Sequence, residues 1–448
     1  MAQFNQPPTE PAKARVEELG DISPPSVQSM SLPRPPPNPV PDLMDLVINR
    51  ESRYTTHSLI TSYLGIDDIR NVQLACRKTS DLYANMKKTQ WNVNTSLQPF
   101  FKYTQTFRSI QAQTETLIGS KFARMFFRRL QVKNELQLFT QAGEKVEALI
   151  SYLEQDGYVL DSEVVGGSVE FGSSKFSCFK KTSTSDGGET SVTLFHCIHS
   201  PIDAILIGCA CSARVCFISW NKAYCLFPSA TILKRTSYRM TPLIQTDYPR
   251  TIAAIKCDSE EGLIVKTGEW MIKNDKTHPE FVFARSVSDK LSWVIKLDIT
   301  HVSPATTPDS LLDDARFSVE TTSQSSIVSY LQLRYDVLAS CALQHTYICL
   351  SRYHFEPAVE WGERRRRQYE AQIRQLEQVL HAETSMQLTM LDPDDRPPQY
   401  ATIVSRRGKD HTAKGHFKTP ANWNYFDAEI QAELRRITEQ LLATGPPK

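Results

Sequence analysis

No continuous run of apolar residues in this sequence approaches the ~20 residues that a membrane-spanning helix requires. The first ten residues, MAQFNQPPTE, also lack the apolar centre of a secretory signal. The chain has 51 Lys and Arg residues against 50 Asp and Glu residues, so its net charge of +1 gives no global attraction to nucleic acid or to an anionic membrane. We therefore expect a cytoplasmic or nuclear protein with no membrane partner, and we do not expect nucleic acid as a partner.

The chain also has no internal repeat, and its 448 residues exceed the length of one typical domain. Residues 1–41 hold eleven of the 26 prolines and almost no apolar periodicity, which predicts a disordered tail. Its segment SLPRPPPNP has the PxxP spacing that an SH3-type groove binds. Dense proline produces this spacing by chance, so we favour a solvated tail.

The most regular pattern lies in residues 107–160. Residues 116–118 lead, as a strand or a helix, into a small turn at Gly119 and Ser120. Three- and four-residue spacing then predicts a helix, whose inner face is Phe122, Ala123, Phe126 and Phe127. A short apolar run at 136–139 predicts a buried strand. A further amphipathic helix before the stop at Gly157 has the inner face Val146, Leu149, Ile150 and Leu153.

This order of turn, helix, strand and helix resembles the core of nucleotidyltransferase-like proteins of filamentous fungi. A second block, HSPIDAILIGCACSARVCFISWNKAYCLFPSATILKRTSY at 199–238, resembles the second half of the same family. The resemblance implies a degenerate nucleotidyltransferase-like core over residues 107–350, with a mixed sheet and flanking helices. We therefore expect an α+β protein.

The segment before this core, THSLITSYLGIDDIRNVQLACRKTSDLY at 56–83, resembles an F-box. The resemblance implies a helical segment over residues 42–106 that binds a ubiquitin-ligase adaptor. It assigns the adaptor-binding surface to Leu59, Ile60, Tyr63, Leu64 and Ile69. The Leu-Pro opening of an F-box is absent, since Arg53-Tyr54 stands before the first helix. A plain helical cap on the core is the alternative.

Further elements follow from local composition and spacing. Segments rich in β-branched and aromatic residues predict strands at 164–170, 176–180 and 191–196, with a turn at 183–188. The spacing of Leu331, Tyr335, Leu338 and Cys341 predicts a helix that ends near Tyr347. In the C-terminal segment, 351–448, an amphipathic helix from Glu363 has the stripe Tyr369, Ile373, Leu376 and Leu380, and a last helix is expected at 428–442. The run Arg364–Arg367 suits an import receptor, RNA or an acidic partner, but we favour a solvated helix start.

A working nucleotidyltransferase needs an Asp-x-Asp pair on one strand and a third carboxylate on the next, because alternate strand residues share a face and together hold two Mg²⁺ ions. At the matching position this chain has Glu135 and Gln137, and the neighbouring strand around Thr193 carries no acid. We therefore expect degenerate metal-site positions, no cofactor and no catalysis. Gly119 and Ser120 keep backbone donors for weak nucleotide binding.

The ten cysteines lie mostly in apolar segments of a long chain, which predicts reduced, buried thiols. One group invites a zinc interpretation, namely His196, Cys197, His199, Cys209 and Cys211. Structural zinc sites usually offer Cys-x₂₋₄-Cys and His-x₃₋₅-His pairs. Because the spacing here differs, we favour core packing and expect no metal.

These patterns support a non-catalytic protein-interaction protein, in which F-box-like helices recruit a ubiquitin-ligase adaptor and the core holds a client. One alternative is an active nucleotidyltransferase that uses magnesium and acts on a small acceptor or RNA. It would rebuild its site from the nearest acids, Asp156, Asp161 and Asp203. Another alternative is a structural or regulatory protein of a fungal developmental, genome-defence or metabolite pathway.

Overall fold

The computed structural model describes a large part of the chain: residues 59–65, 68–69, 71–72, 82–132, 134–165, 173–182, 188–241, 248–266, 280–281, 284–323, 329–352, 363–398, 400–405, 420 and 422–443. The predicted Pro-rich tail, 1–41, and most of the predicted turn at 183–188 lie outside these residues. The fold of the described residues is α+β, as predicted.

Helical residues at 59–63, 68–69 and 71–72 precede eleven labelled helices. The helices are α1 (Leu82–Thr89), α2 (Val93–Leu97), α3 (Thr104–Gln113), α4 (Ser120–Phe127), α5 (Glu144–Gln155), α6 (Pro201–Gly208), α7 (Tyr248–Glu260), α8 (Ser310–Asp313), α9 (Glu363–Met390), α10 (Tyr400–Ser405) and α11 (Asp427–Ala443). The strands are β1 (Leu117–Gly119), β2 (Glu135–Gln141), β3 (Val159–Val165), β4 (Ser173–Thr182), β5 (Glu189–Cys197), β6 (Cys216–Ile218), β7 (Lys222–Cys225), β8 (Thr236–Tyr238), β9 (Ile264–Lys266), β10 (Arg285–Ser286), β11 (Trp293–Lys296), β12 (Arg316–Ser323), β13 (Ser329–Leu338) and β14 (Tyr347–Leu350). In the part of the chain that is described, no helix has both the length and the apolar character needed to cross a bilayer.

The centre of the fold is an eight-stranded mixed sheet in the order β11-β7-β6-β1-β2-β5-β4-β3. Its strands pair antiparallel except for β2 and β5, which run parallel. Two smaller sheets accompany it: an antiparallel one in the order β10-β12-β13-β14 and the parallel pair β8-β9. The predicted strands at 176–180 and 191–196 are confirmed as parts of β4 and β5. Of the predicted strand at 164–170, only the first two residues are described, at the end of β3.

One face of the central sheet is covered by the helices that precede and follow β1. Leu136 and Leu138 alternate along β2 toward this face and are fully buried, as the two-residue period of a strand requires. The predicted inner face of α4 is confirmed, because Phe122, Phe126 and Phe127 pack into the same apolar cluster. The sequence pattern in this region therefore gave the correct elements and the correct buried side.

An aromatic contact closes this layer across a long stretch of chain. Trp91, between α1 and α2, contacts Trp293 of β11 edge to face, with 5.4 Å between the ring centroids. The Trp293 indole N–H donates a hydrogen bond of 3.0 Å to the Tyr83 hydroxyl. β11, the last strand of the central sheet in chain order, therefore packs against α1 and the residues that follow it.

The opposite face of the central sheet packs against α6 and the four-stranded sheet. The Ser200 hydroxyl accepts a hydrogen bond from the Asp203 N–H at 3.3 Å and caps α6, and Pro201 occupies its first turn. The helix is apolar on nearly all sides, which is typical of a helix buried between two layers. Phe217 of the central sheet and Phe317 of the second sheet belong to the same buried cluster as α6.

The C-terminal helices pack against β14 and the loop before it. The predicted stripe of α9 is confirmed, and it forms one cluster with α11. The Trp423 indole N–H donates to the Cys341 carbonyl at 2.9 Å, and the Asp427 carboxylate accepts from the Tyr347 hydroxyl at 2.9 Å. The end of the described chain docks back onto the body, as the sequence predicted.

The predicted helix from Leu331 to near Tyr347 is wrong. Residues 329–338 form β13 and pair with β12 and β14, so Tyr347 begins a second strand. Leu331 and Leu333 face the cluster around α6, whereas Gln332 and Arg334 alternate away from it. The apolar residues fit both the helical period and the two-residue period of a strand. The segment is a strand because it pairs with two neighbouring strands.

Candidate functional site

The four residues predicted to mark a nucleotide site lie at one corner of the central sheet. Gly119 ends β1 and Ser120 begins α4, which confirms the strand, turn and helix. Ile118 lies opposite Leu138 in the antiparallel pair of β1 and β2. This register places the turn beside the end of β2 that carries Glu135 and Gln137.

Two of the polar side chains at this corner, those of Glu135 and Gln137, contact one another. The Gln137 side-chain amide donates to a Glu135 carboxylate oxygen at 3.3 Å. On the parallel neighbour β5, Ser191 lies opposite Glu135 and Thr193 lies opposite Gln137. The corner and the adjoining residues of β5 therefore contain one carboxylate, one amide and three hydroxyl groups, the last from Ser120, Ser191 and Thr193. These side chains do not fit a two-magnesium centre, which depends on the summed charge of several carboxylates.

The acids that would have to rebuild such a centre have other partners. The Lys181 ammonium lies 2.7 Å from the Asp156 carboxylate, and the Lys180 ammonium lies 3.2 Å from that of Asp161. Asp203 is buried in α6, where it accepts a hydrogen bond of 2.8 Å from the Tyr335 hydroxyl. Within the described ranges, no group of three or more His, Cys, Asp and Glu side chains is placed to hold a metal ion.

The candidate zinc residues, for which we favour core packing, form no metal-binding group of three or more within the described ranges. The Cys197 and Cys209 thiols are buried and point to backbone carbonyls, those of Phe195 and Leu206. Burial raises the pKa of the Cys211 thiol to about 12, with a further contribution from Asp258. The nine described cysteines are free thiols, so the prediction of reduced cysteines is confirmed for them.

His196 belongs to a polar cluster that the sequence analysis missed. Its Nε2 lies 3.0 Å from the Ser177 hydroxyl on β4, and that hydroxyl also lies 3.1 Å from the Glu163 carboxylate on β3. Burial lowers the pKa of His196, and the positive charge of Lys175 lowers it further. Ser177 is fully buried and His196 is 7% exposed. Only the register of three strands brings them together, and local spacing does not contain it.

A cavity of about 90 Å³ lies near the start of β1, and none of the four corner residues is among its lining residues. It is bounded by the end of α3, the start of α6, the β6–β7 turn and residues 305–312. Gln111, Leu117 and Tyr224 form its buried floor, whereas Pro308 and Asp309 are exposed at its mouth. The sequence analysis did not identify it, because its walls come from distant segments.

Two linked carboxylates fix one wall of the cavity. Asp309 accepts hydrogen bonds from the Asn221 side-chain amide at 2.9 and 2.7 Å, and its carboxylate lies 2.8 Å from the Lys222 ammonium. Lys222 also lies 2.7 Å from Asp313, which accepts from the Tyr224 hydroxyl at 2.9 Å. The network ties the loop before α8 to β7 and the preceding turn.

Glu115, just after α3, also lines the cavity. Burial opposes its charge, but the Lys145 ammonium 2.9 Å from Oε1, the Thr307 hydroxyl and the charge of His345 outweigh burial and lower the pKa of Glu115. Its backbone has a φ of +53°, in the left-handed region. Oε1 makes both the contact with the Lys145 ammonium and the hydrogen bond with the Thr307 hydroxyl.

The predicted adaptor-binding residues divide into exposed and packed positions. Leu59 and Tyr63 are 58% and 82% exposed. Ile60 and Leu64 are partly buried against the core cluster, and Ile69 is buried in it. The structure therefore leaves two of the five side chains available to a partner.

Arg129 attaches this helical segment to the core. Its guanidinium donates to the Thr61 carbonyl at 2.8 Å, to the Gln90 side-chain oxygen at 2.7 Å and to the Leu64 carbonyl. It also lies 5.8 Å from the centroid of the Trp91 ring. The end of α4 thus holds the segment through its backbone.

Comparison with known proteins gives no assignment, since neither a family model nor a curated protein matches the chain.

Proposed function

We propose that this chain is a non-catalytic protein-interaction protein, in which an F-box-like segment recruits a ubiquitin-ligase adaptor and a degenerate nucleotidyltransferase-like core holds a client. The observation that carries the non-catalytic part is the corner of Gly119, Ser120, Glu135 and Gln137. It keeps the order of parts that the resemblance implies, but only one of its side chains is an acid. A binding role requires this scaffold but does not require the several carboxylates that would hold metal ions.

The exposure of Leu59 and Tyr63 supports the adaptor part of the proposal. These residues are four apart on one helical stretch and therefore share a face. Their neighbours Ile60, Leu64 and Ile69 pack on the core and fix the direction in which that face points. A large exposed tyrosine beside an exposed leucine is a suitable apolar contact for a helical partner.

The adaptor experiment uses the purified chain and the purified adaptor subunit of an F-box ubiquitin ligase. We expect a complex by analytical size exclusion, and we expect Tyr63→Glu to abolish it, because an apolar contact cannot accommodate an unpaired carboxylate. Asn71→Glu is the matched control, since Asn71 is exposed on a later helical stretch and is not one of the five adaptor-binding residues. Failure of the wild-type chain to bind would remove the adaptor role and favour the plain helical cap.

The catalytic experiment incubates the chain with each labelled nucleoside triphosphate and Mg²⁺ or Mn²⁺, with a small hydroxyl acceptor or RNA. We expect no transfer. A metal-dependent product that disappears in Glu135→Ala would overturn the non-catalytic proposal and favour a nucleotidyltransferase. This outcome is independent of adaptor binding, so the two parts of the proposal fail separately.

A further inference from the structure

The cavity of about 90 Å³ beside the start of β1 is large enough for a small organic molecule. A single water needs roughly 10 to 15 Å³ of such volume, so several waters or one six-membered ring would fit. Its lining includes the apolar side chains of Leu117 and Ile202. Trp220 and Tyr224 add aromatic rings. An apolar floor with a few polar groups is the usual composition of a small-molecule site.

The charges around the cavity select the sign of a ligand. Glu115 and Asp309 line it, and no Lys, Arg or His is among its lining residues as described. The nearest cations, Lys145 and Lys222, already pair with these carboxylates from outside the lining. An anion would therefore meet two carboxylates without a cation of its own to bind.

The start of α6, which also borders the cavity, does not reverse this preference. Pro201 has no N–H, and the Asp203 N–H is used by the Ser200 hydroxyl. The Ala204 N–H bonds to the Ser200 carbonyl. The helix terminus has thus satisfied most of the donors that would otherwise attract an anion.

We propose that this cavity binds a small, flat organic cation, such as an aromatic amidine or amine, with its ring on the apolar floor and its charged group between Glu115 and Asp309. Oε2 of Glu115, which makes neither the Lys145 nor the Thr307 contact, accepts one hydrogen bond from the cation. Ring contacts with Trp220 and Tyr224 favour a cation further, because aromatic faces attract positive charge. The site is separate from the adaptor face and from the Gly119 corner.

The experiment compares benzamidine with benzoate, which have similar size and shape but opposite charge. Ligand-observed saturation-transfer NMR measures binding of each probe to the full chain. We expect benzamidine to bind and benzoate not to bind. Glu115→Gln should weaken benzamidine binding roughly tenfold, as the loss of one charge-assisted hydrogen bond does. Glu147→Gln, at an exposed position of α5, is the matched control and should bind as the wild type does.

Two further variants test the location. Ala305→Trp should fill the cavity and abolish binding, and circular dichroism reports whether the variant folds. If Ala305→Trp does not fold, Asp309→Lys at the exposed mouth of the cavity takes its place. Asp309→Lys should weaken the binding of benzamidine and favour the binding of benzoate. Equal binding of the two probes, binding of neither, or benzamidine binding that survives both Ala305→Trp and Asp309→Lys would overturn the proposal.

Discussion

Gly119 lies so close to Phe139 across the pair of β1 and β2 that a Cβ atom on Gly119 would overlap Cε2 of the ring and lie 3.0 Å from its Cδ2. The Phe139 ring cannot withdraw freely, because it stacks on Phe195 with 4.7 Å between centroids. The backbone of Gly119 is extended, with φ of −109°, so its conformation does not require glycine. Close packing explains this glycine without a phosphate.

Gly119→Ala should therefore lower the free energy of unfolding by about 1 to 3 kcal/mol through overpacking. Chemical denaturation measures the change. Phe139→Leu should recover part of the loss in the double variant, because it removes the ring that the new methyl group meets. Gly188→Ala is the control, since a Cβ there meets nothing within 4 Å. A neutral Gly119→Ala would show that the ring moves aside at no cost.

Phe126→Ala should destabilise the fold by about 3 kcal/mol, since it removes a buried ring and leaves a cavity. Phe126 is 2% exposed in the cluster beneath the central sheet. Leu130→Ala, on a side chain that is 48% exposed, should change stability far less. Thermal unfolding of both variants provides the comparison, and an unchanged midpoint for Phe126→Ala would contradict the packing of α4.

Arg129→Met should release the helical segment at 59–65 while leaving the sheet intact. The substitution removes the donors for the Thr61 and Leu64 carbonyls, and a hydrogen bond from a charged donor contributes about 1.5 to 3 kcal/mol. Hydrogen exchange read by mass spectrometry should accelerate over residues 59–65 and stay unchanged in β2. Arg128→Met, one residue earlier, should leave exchange at 59–65 unchanged, and equal acceleration in both variants would argue against a specific attachment by Arg129.

The ionised Glu115 should make stability depend on pH. Its pKa in the folded chain lies below the ordinary value of 4.5, so the unfolded chain binds the proton first as the pH falls. The stabilisation is complete above that ordinary value and is lost as the pH falls through the lower folded value. Glu115→Gln should therefore destabilise the chain more at about pH 7 than at about pH 3. Denaturation curves of Glu115→Gln and Glu147→Gln at both pH values measure this, and a pH-independent difference would contradict it.

Local patterns predicted the elements of the fold wherever one period was clear. The spacing of Phe122, Phe126 and Phe127 fits a helix alone, and Leu136 with Leu138 fits a strand. The segment of Leu331 and Tyr335 fits both periods, and only its pairing with β12 and β14 makes it a strand. Strand pairing is a long-range property that local periodicity does not contain.

The two candidate sites also differ in how far the local sequence predicts them. The corner of Gly119 and Glu135 was predictable, because a single helix, α4, separates the two strands that carry these residues. The cavity joins Glu115 to Asp309, which are distant in sequence and meet only after the sheets have packed. The positive φ of Glu115 and its contacts with Lys145 and Thr307 have no local sequence pattern.

The hydrogen bond between Trp293 and Tyr83 also means that the region around Tyr83 completes its folding late during synthesis of the chain. Tyr83 and Trp91 leave the ribosome about two hundred residues before the strand that covers them. Until β11 emerges, the Trp91 indole lacks one of its aromatic neighbours and stays accessible to chaperones that bind exposed apolar surface. A nascent chain arrested before β11 has left the ribosome should therefore depend on such chaperones, whereas one arrested after β11 has emerged should release them.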